Sequence, residues 1–379
     1  MSPVRPARTH PGPPLRVAVV GLGWAGRTLW LPRLRRHPAF EVTAVVDPSE
    51  AARAEALAQV PGARSLAGLD ELSATAVDLA VVAVPNHLHA EVAARLLTGN
   101  TSVFVEKPVC LDSAEADLLA RAERSADAVL LSGSAARHRA DVRALGELAA
   151  GLGPVRHIDV SWVRARGVPD AGGWFTHRTL AGGGALVDLG WHLLDTALPL
   201  IGPGVGFDQV VGTLSDDFLG SASAGAAWRG TRPGDPAADG PGDVEDTARG
   251  FLVAANGVSV ALRASWASHE QYDVTRITVE GAAGTAALRC TFGFSPNRAG
   301  GSRLTLTRDG RTEPVPVPEE PIGAEYLRQL DELPGMLADP ASRGRAATET
   351  RLTIGAIERL YRSARRAGRP AMPAGQGAP

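Results

Sequence analysis

The sequence predicts an α/β protein of two domains, a doubly wound parallel sheet followed by an open, mostly antiparallel sheet. Its 379 residues suggest two domains, because a single hydrophobic core seldom grows beyond roughly 250–300 residues. Short buried strands alternate with helices up to about residue 135, as in parallel α/β sheets. Longer strands then follow, separated by the hairpin-turn signals "ANG" and "EGAAG". We therefore expect domains at 15–135 and 136–371, between disordered tails at 1–14 and 372–379.

In the first domain, each predicted strand except the last is followed by a helix. The predicted strands are "LRVAVVGLG", "FEVTAVVD", "VDLAVVAVP", "SVFVEKP" and "AVLLSGSA". The predicted helices are "GRTLWLPRLRRHP", "PSEAARAEALAQV", "HLHAEVAARLLTGN" and "SAEADLLARAERSA". Gly99 and Asn100 are expected to end the third helix, and Ser113 is expected to cap the fourth.

The second domain combines long strands with a few helices. The predicted strand segments are "PVRHIDVSWVRAR", "DQVVGTLSDDF", "ARGFLVAANGVSVALRASWAS", "YDVTRITVEGAAGTAALRC" and "SRLTLTRDGR". Helices near 138–150 and 182–200 are expected to pack on their sheet, and "ATETRLTIGAIERLYRSARRAG" predicts an amphipathic helix. The Pro- and Gly-rich stretch at 229–243 predicts a flexible loop.

The composition excludes several classes of protein. A net charge of −2 gives no reason to expect nucleic acid or an anionic membrane as partner. Two cysteines, Cys110 and Cys290, provide neither a disulfide framework nor the spacing of a zinc site. The N-terminal segment lacks the apolar core of a secretory signal, and no uncharged apolar run is long enough to span a membrane. We expect a cytoplasmic protein without a metal centre.

A glycine turn directly follows the first strand and begins a helix. Gly21, Gly23 and Gly26 have the spacing G-x-G-x-x-G, which in this context is typical of a Rossmann dinucleotide-binding domain. The first glycine permits the tight turn, the second lets the backbone approach a pyrophosphate, and the third permits close helix–strand packing. The cofactor is expected to contact Gly21, Leu22, Gly23, Trp24, Ala25 and Gly26.

Asp47 ends the second predicted strand, where an acidic residue can bind the hydroxyl groups of the adenosine ribose. Its charge would repel a 2′-phosphate, which favours NAD over NADP. Asp47 could instead cap the helix that follows, and Arg53 keeps NADP as the less favoured cofactor.

Three further residues follow the next buried strand, at the carboxyl edge of the sheet where ligands bind. Pro85, Asn86 and His89 are therefore predicted to line the cofactor. The alternative is that Asn86 caps a helix and the neighbouring histidines lie on the surface.

Lys107 is the only lysine among 39 Lys and Arg residues, and it ends another parallel strand. Arginine stays protonated at any working pH, whereas lysine can both donate and accept a proton. Lys107 is therefore a candidate catalytic residue, although a lone surface lysine is the alternative. Glu106, beside it, could orient the ammonium group or pair with it, and both Glu106 and Lys107 are also predicted to contact the cofactor.

The segment "GGGALVDLGWHLLD" places Asp188 and His192 four residues apart, on one face of a helix. Histidine titrates near neutral pH and can transfer a proton, and aspartate can fix its tautomer or bind a substrate hydroxyl. The alternative is a structural histidine with a solvated contact to the aspartate.

In this order, the glycine turn, "EKP" and "GG…DxxxHxxD" resemble the Gfo/Idh/MocA family of oxidoreductases, over about residues 15–369. The resemblance implies that Lys107 is catalytic, that Asp188 binds substrate and supports the acid/base His192, and that Asp195 has a structural role. It also implies dimer or tetramer contacts through the second sheet. "GSAARHRADV" keeps Arg137 but lacks the phenylalanine and proline of the family's "N-R-F-x-P"-like segment.

The expected substrate is a sugar, amino sugar or cyclitol whose ring hydroxyl is interconverted with a ketone, and an antibiotic pathway is a reasonable setting. Candidate substrate-binding residues are Lys107, Arg137, Arg166, Trp174, Asp188 and His192, with Arg164 and His177 on neighbouring loops. Trp174 could equally pack, and Arg166 could face only solvent. A non-catalytic NAD sensor and a redox-neutral glycoside-cleaving enzyme stay open as alternatives. A short-chain dehydrogenase is excluded, because no tyrosine is followed four residues later by lysine.

Overall fold

The computed structural model describes residues 12–74, 76–169, 173–221, 224–226 and 242–367. Of the predicted tails at 1–14 and 372–379, only residues 12–14 lie within these ranges. The predicted second domain extends to residue 371, and its residues 368–371 also lie outside them. Of the predicted loop at 229–243, only residues 242 and 243 are described.

The first sheet has six strands, all parallel, in the order β3-β2-β1-β4-β5-β6. The strands are β1 Leu15–Val20, β2 Phe40–Val46, β3 Arg64–Leu66, β4 Leu79–Val82, β5 Ser102–Val105 and β6 Leu130–Ser132. This order confirms the doubly wound sheet and places its switch point between β1 and β4, where ligands bind beyond the carboxyl ends. The three-residue edge strand β3 was not predicted.

Four helices connect these strands. They are α1 Leu31–Arg36 after a π-helical turn Ala25–Trp30, α2 Glu50–Gln59, α3 His89–Thr98 after a 3₁₀ turn Asn86–Leu88, and α4 Ser113–Arg124. Asn100 adopts a left-handed φ of 59° just after α3, as expected for a helix end. Ser113 was wrongly predicted to cap α4: Asp112 accepts from the Glu115 N–H, and Ser113 donates its hydroxyl hydrogen to Glu358 on the C-terminal helix.

The second sheet has eight strands in the order β14-β13-β12-β11-β7-β10-β9-β8. They are β7 Val155–Val163, β8 Phe207–Ser215, β9 Thr247–Ala254, β10 Ser259–Ser265, β11 Val274–Gly281, β12 Gly284–Cys290, β13 Arg303–Arg308 and β14 Arg311–Val315. Every neighbouring pair is antiparallel except β7 and β10, which run parallel. The mostly antiparallel sheet is therefore confirmed.

The remaining helices cover one face of this sheet or join it to the first. They are α5 Ala140–Ala150, α6 Arg178–Ala181, α7 Trp191–Ile201 after a π-helical turn Leu186–Gly190, α8 Ala324–Ala338 and α9 Arg345–Ala367. Helix α8 was not predicted, and it packs Leu330 and Leu333 into the core of the first domain. In the described ranges, no helix has both the length and the hydrophobicity needed to cross a lipid bilayer.

Candidate active site

The glycine turn after β1 has the geometry that a dinucleotide requires. Gly21 has a φ of +90°, and a Cβ atom there would lie 2.6 Å from the Ala83 backbone after β4. A Cβ on Gly26 would lie 1.9 Å from the Gly21 carbonyl oxygen, so this packing tolerates only glycine. An added Cβ on Gly23 would meet no atom within 4 Å, which leaves its backbone open to a pyrophosphate. These residues fit a bound dinucleotide.

The carboxylate of Asp47 is held at the edge of this turn. It accepts hydrogen bonds from the Leu22 N–H at 2.7 Å and the Ser49 N–H at 2.8 Å. The helix cap of α2 is Ser49, so Asp47 does not cap that helix. Arg53 donates to the carbonyl oxygens of Asp47 and Pro48. The Asp47 carboxylate is therefore held in a fixed position beside the glycine turn.

The segment after β4 ties the two domains together. Asn86 does not cap a helix: its buried side-chain amide donates to the Ala181 carbonyl oxygen at 3.0 Å. His89 is buried rather than exposed, and its ring nitrogens lie 2.6 Å and 2.8 Å from the carbonyl oxygens of Pro108 and Val84. Burial lowers its pKa, against the two backbone contacts, which raise it. Pro85 begins this segment and is partly exposed.

Glu106 positions the backbone of Lys107 rather than its ammonium group. Its buried carboxylate accepts from the Trp30 indole N–H at 2.7 Å and from the Lys107 backbone N–H at 2.8 Å. Burial raises the pKa of Glu106 in spite of these contacts. The π-helical turn before α1 is therefore joined to the end of β5 through one carboxylate. The Lys107–Pro108 peptide bond is cis.

Lys107 reaches across to the second domain. Its Nζ donates to Asp188 Oδ1 at 2.6 Å, and Asp188 Oδ2 accepts from the Trp266 indole N–H at 2.9 Å. Burial alone would raise the pKa of Asp188, but Lys107, Arg164 and the Trp266 hydrogen bond outweigh it and hold the pKa well below its usual range. Asp188 is therefore a carboxylate that anchors the ammonium group. Trp266, distant in sequence, gave no signal of this role.

The glycines before Asp188 let its helix approach Glu245. A Cβ on Gly184 would lie 1.8 Å from the Glu245 carbonyl oxygen, and one on Gly183 would lie 1.9 Å from the Tyr361 hydroxyl oxygen. The Glu245 carboxylate accepts from the Gly184 and Leu186 N–H groups and from the Tyr361 hydroxyl. Glu245 thus caps the turn that presents Asp188, a role that sequence reasoning missed.

His192 lies one helical turn beyond Asp188, with its ring 5.6 Å from that of Trp162. Burial, reinforced by Lys107 and Arg164 and opposed by Asp188, lowers the pKa of His192 to about 3. The imidazole is therefore neutral at working pH and can accept a proton. Both oxygens of Asp188 bind Lys107 and Trp266, so Asp188 influences His192 through charge, and the described residues show no hydrogen bond between them.

Arg137 departs from its predicted place in the substrate wall. Its guanidinium pairs with Asp195 at 2.6 Å and with Glu349 at 2.5 Å, and Nε donates to the Asp195 carbonyl oxygen. This network joins the segment after β6 to α7 and α9, as expected of a structural Asp195. The described contacts of its guanidinium are thus with Asp195 and Glu349, which gives Arg137 a structural role in this network.

The other predicted substrate residues lie on the loops after β7. The Arg164 guanidinium stacks over the Trp162 ring at 5.0 Å, whereas Arg166 is exposed to solvent. The ring of Trp174 contacts Phe175 at 5.0 Å, and Phe175 contacts Trp266 at 6.2 Å. Trp174 is partly exposed at the end of an aromatic chain that leads to Asp188.

The chain matches two family models. An "oxidoreductase family, NAD-binding Rossmann fold" model matches residues 15–134, and a GFO/IDH/MocA C-terminal domain model matches residues 143–287. NAD is therefore the cofactor class that the first domain binds.

Three proteins show how far the similarity extends. A protein of Amycolatopsis mediterranei, named as a UDP-kanosamine synthase oxidoreductase subunit, is 59% identical over 96% of this chain and 99% of its own length. D-Glucoside 3-dehydrogenase of Escherichia coli is 32% identical over 50% of this chain and 54% of its own length. The structure of GenD2 from gentamicin A biosynthesis, in complex with NAD, is 25% identical with a TM-score of 0.74, covering 98% of this chain and all of that one. These matches establish that the chain belongs to the Gfo/Idh/MocA family of NAD-binding oxidoreductases.

Proposed function

We propose that this enzyme oxidises the C3 hydroxyl of a nucleoside-diphosphate glucose to a ketone, in a pathway that makes an amino sugar for an antibiotic. The observation that carries the chemistry is the Lys107 ammonium, held by Asp188 at 2.6 Å beside the neutral imidazole of His192. The substrate class is supported by the two relatives described above, because kanosamine is 3-amino-3-deoxyglucose and the other relative is a glucoside 3-dehydrogenase.

In this proposal, Lys107 and His192 have different roles at the reacting oxygen. Lys107 directs one N–H at Asp188 and has two further donors, which bind the C3 oxygen as it becomes a carbonyl. His192 takes the hydroxyl proton as general base. The glycine turn and Asp47 hold NAD, which supplies the hydride acceptor when it is bound. Partial burial of Lys107 and Asp188 excludes much of the water from this pair.

The test is turnover of UDP-glucose with NAD⁺, followed by NADH absorbance and by mass spectrometry with a carbonyl-trapping amine. We expect NADH and a trapped UDP-3-ketoglucose in equal amounts. A matched panel contains UDP-galactose, methyl β-D-glucoside and myo-inositol. Conversion of sugar without net NADH would indicate redox-neutral chemistry, and binding of NAD without turnover of UDP-glucose would contradict the proposed oxidation.

We also propose that the enzyme acts in the cytoplasm, where NAD is abundant. A separate proposal is that the charge of Asp47 makes the enzyme prefer NAD over NADP. Asp47→Asn keeps an acceptor for the Leu22 N–H but removes the charge that repels a 2′-phosphate. We expect the ratio of kcat/KM for NAD⁺ to that for NADP⁺ to fall roughly 10-fold or more. Asp70→Asn, on the surface of the same domain, is the control, and an unchanged ratio in Asp47→Asn would exclude this role.

We further propose that a second copy of the chain covers the outer face of the eight-stranded sheet. Phe251 and Val211 are 49% and 65% exposed there, which supports a buried interface. Arginines also form one register row across five strands of this face: Arg249, Arg263, Arg276, Arg289 and Arg303. Two carboxylates lie on the same face. Asp159 is two residues along β7 from the row, and Glu280 is four residues along β11 from Arg276. A two-fold axis can bring these carboxylates of one copy against the arginines of the other.

Light scattering after size exclusion tests the oligomer. We expect a dimer or tetramer at low salt whose dissociation constant rises at about 1 M NaCl, because salt screens the arginine–carboxylate contacts. Phe251→Glu is expected to produce monomer, with Leu327→Glu, at an exposed site on α8, as the control. A monomeric wild-type chain at micromolar concentration would contradict the proposal.

A further inference from the structure

Arg164 is held rigidly just beyond the carboxyl end of β7. Its backbone N–H donates to the Ser265 carbonyl oxygen at 2.9 Å, and its own carbonyl oxygen accepts from the Ser268 hydroxyl at 2.9 Å. A Cβ on Gly167 would lie 2.5 Å from the Arg164 Cδ, so the side chain packs closely against that glycine. With the guanidinium stacked over Trp162, the conformation is fixed before any substrate binds.

The charge of Arg164 is not balanced by a direct ion pair in the described part of the chain. Its Nη1 atom is buried there without a hydrogen-bond partner. The nearby carboxylate, Asp188, is already bonded to Lys107 and Trp266. Two cations, Lys107 and Arg164, therefore share one carboxylate in the cleft. A buried guanidinium nitrogen without a hydrogen-bond partner costs free energy, and an anionic ligand would supply that partner.

We propose that Arg164 binds the diphosphate on C1 of the substrate and so makes the enzyme specific for anionic nucleotide sugars. The inference rests on the proposed oxidation of a nucleoside-diphosphate glucose. Guanidinium groups match phosphate oxygens in geometry and bind them through paired hydrogen bonds. Trp162 contacts both the Arg164 guanidinium, at 5.0 Å, and the His192 ring, at 5.6 Å, so both groups border one side of the cleft. In our proposal, a pyranose whose C3 hydroxyl meets His192 directs its C1 substituent toward Arg164. A neutral sugar leaves this guanidinium unpaired.

The same contact links substrate binding to the strength of the base. The charged groups that act on His192 are Lys107, Asp188 and Arg164. A phosphate on Arg164 offsets one of the two cations that disfavour the imidazolium form. An anionic substrate therefore makes His192 a better base in the complex than it is in the free enzyme, whereas a neutral glucoside does not.

The experiment compares Arg164→Gln with Arg156→Gln, which removes an exposed arginine at the opposite end of β7. Calorimetry measures UDP affinity in the full chain with NAD⁺ present, and kinetics give KM and kcat for UDP-glucose and methyl β-D-glucoside. We expect Arg164→Gln to weaken UDP binding and raise the KM of UDP-glucose roughly 10- to 100-fold, while the KM of the glucoside changes less than about 3-fold. Arg164→Lys should recover part of the loss, and Arg156→Gln should match the wild type.

The outcomes separate this inference from the proposed function. Equal UDP affinity in Arg164→Gln and the wild type would overturn the diphosphate site, whatever the turnover. Equal rises in the KM of UDP-glucose and of the neutral glucoside would also overturn it, because Arg164 would then not distinguish the anionic substrate from the neutral one. Arg164-dependent UDP binding by a wild-type enzyme that oxidises no UDP-sugar would support the diphosphate site and refute the proposed oxidation.

Discussion

Replacing Lys107 by methionine is expected to lower kcat for sugar oxidation by about 10³-fold or more, while NAD still binds. The ammonium group both donates hydrogen bonds to the reacting oxygen and stabilises its developing charge, and each effect is worth roughly 10²–10³-fold in other enzymes. The glycine turn and Asp47, which hold the nucleotide, do not depend on Lys107. Steady-state kinetics and fluorescence titration with NADH measure the two quantities separately.

The variant also tests the ion pair itself. Without Lys107, the carboxylate of Asp188, whose side chain is 11% exposed, loses its cation, and breaking such a pair typically costs about 3–5 kcal/mol. Lys107→Met/Asp188→Asn should therefore recover much of the lost stability in urea without recovering turnover. Lys107→Arg keeps the positive charge but replaces the compact ammonium group with a planar guanidinium. This variant should retain stability and still lose most activity. Full turnover in any of these variants would show that Lys107 is not catalytic.

Replacing His192 by asparagine is expected to lower kcat roughly 10²–10⁴-fold, the usual worth of a general base. Because the pKa of His192 is about 3 rather than 6.5, the neutral base is present throughout pH 5–9. The wild-type kcat/KM for a neutral glucoside should therefore show no loss of activity between pH 7 and pH 5 from this group. His269→Asn, at an exposed histidine, is the control.

Stability provides an independent readout of the same group. The pKa of His192 is about 3 in the folded protein and 6.5 for an unperturbed histidine. Between these two pH values the unfolded chain therefore binds one more proton than the folded chain, which favours unfolding as the pH falls. The contribution of His192 is thus fully present above pH 6.5 and is lost as the pH falls toward 3. His192→Asn should show a smaller fall in the free energy of unfolding over this window. An identical pH dependence in wild type and variant would contradict a partly buried, neutral His192.

Local sequence signals were sufficient to predict the fold of the first domain and much of that of the second. The glycine spacing, the strand-ending Asp47 and Lys107, and the pair Asp188 and His192 each lie within one short segment. The carboxyl ends of parallel strands necessarily meet at one edge of a sheet, so these segments converge once the topology is known. The series of strand-forming segments after residue 136 likewise predicts the second sheet. It does not predict that β7 and β10 run parallel.

The long-range partners could not be predicted, because each depends on a residue far away in the chain. Trp266 lies 78 residues from Asp188, and Glu349 lies 212 residues from Arg137, which turns an apparent substrate arginine into a structural ion pair. Glu245 caps the turn before Asp188 from 59 residues away. Asp112 and Ser113 are both competent caps; Asp112 takes this role, and the Ser113 hydroxyl instead donates to Glu358, which is 245 residues away.

The most direct test of the central claim uses UDP-glucose carrying deuterium at C3 or, separately, at C4. After incubation with NAD⁺ and a carbonyl trap, mass spectrometry measures deuterium in the reduced nicotinamide. Oxidation at C3 predicts one deuterium per NADH from the C3-labelled sugar and none from the C4-labelled sugar. Transfer from C4, or NADH formed without deuterium from the C3-labelled sugar, would contradict the proposed reaction.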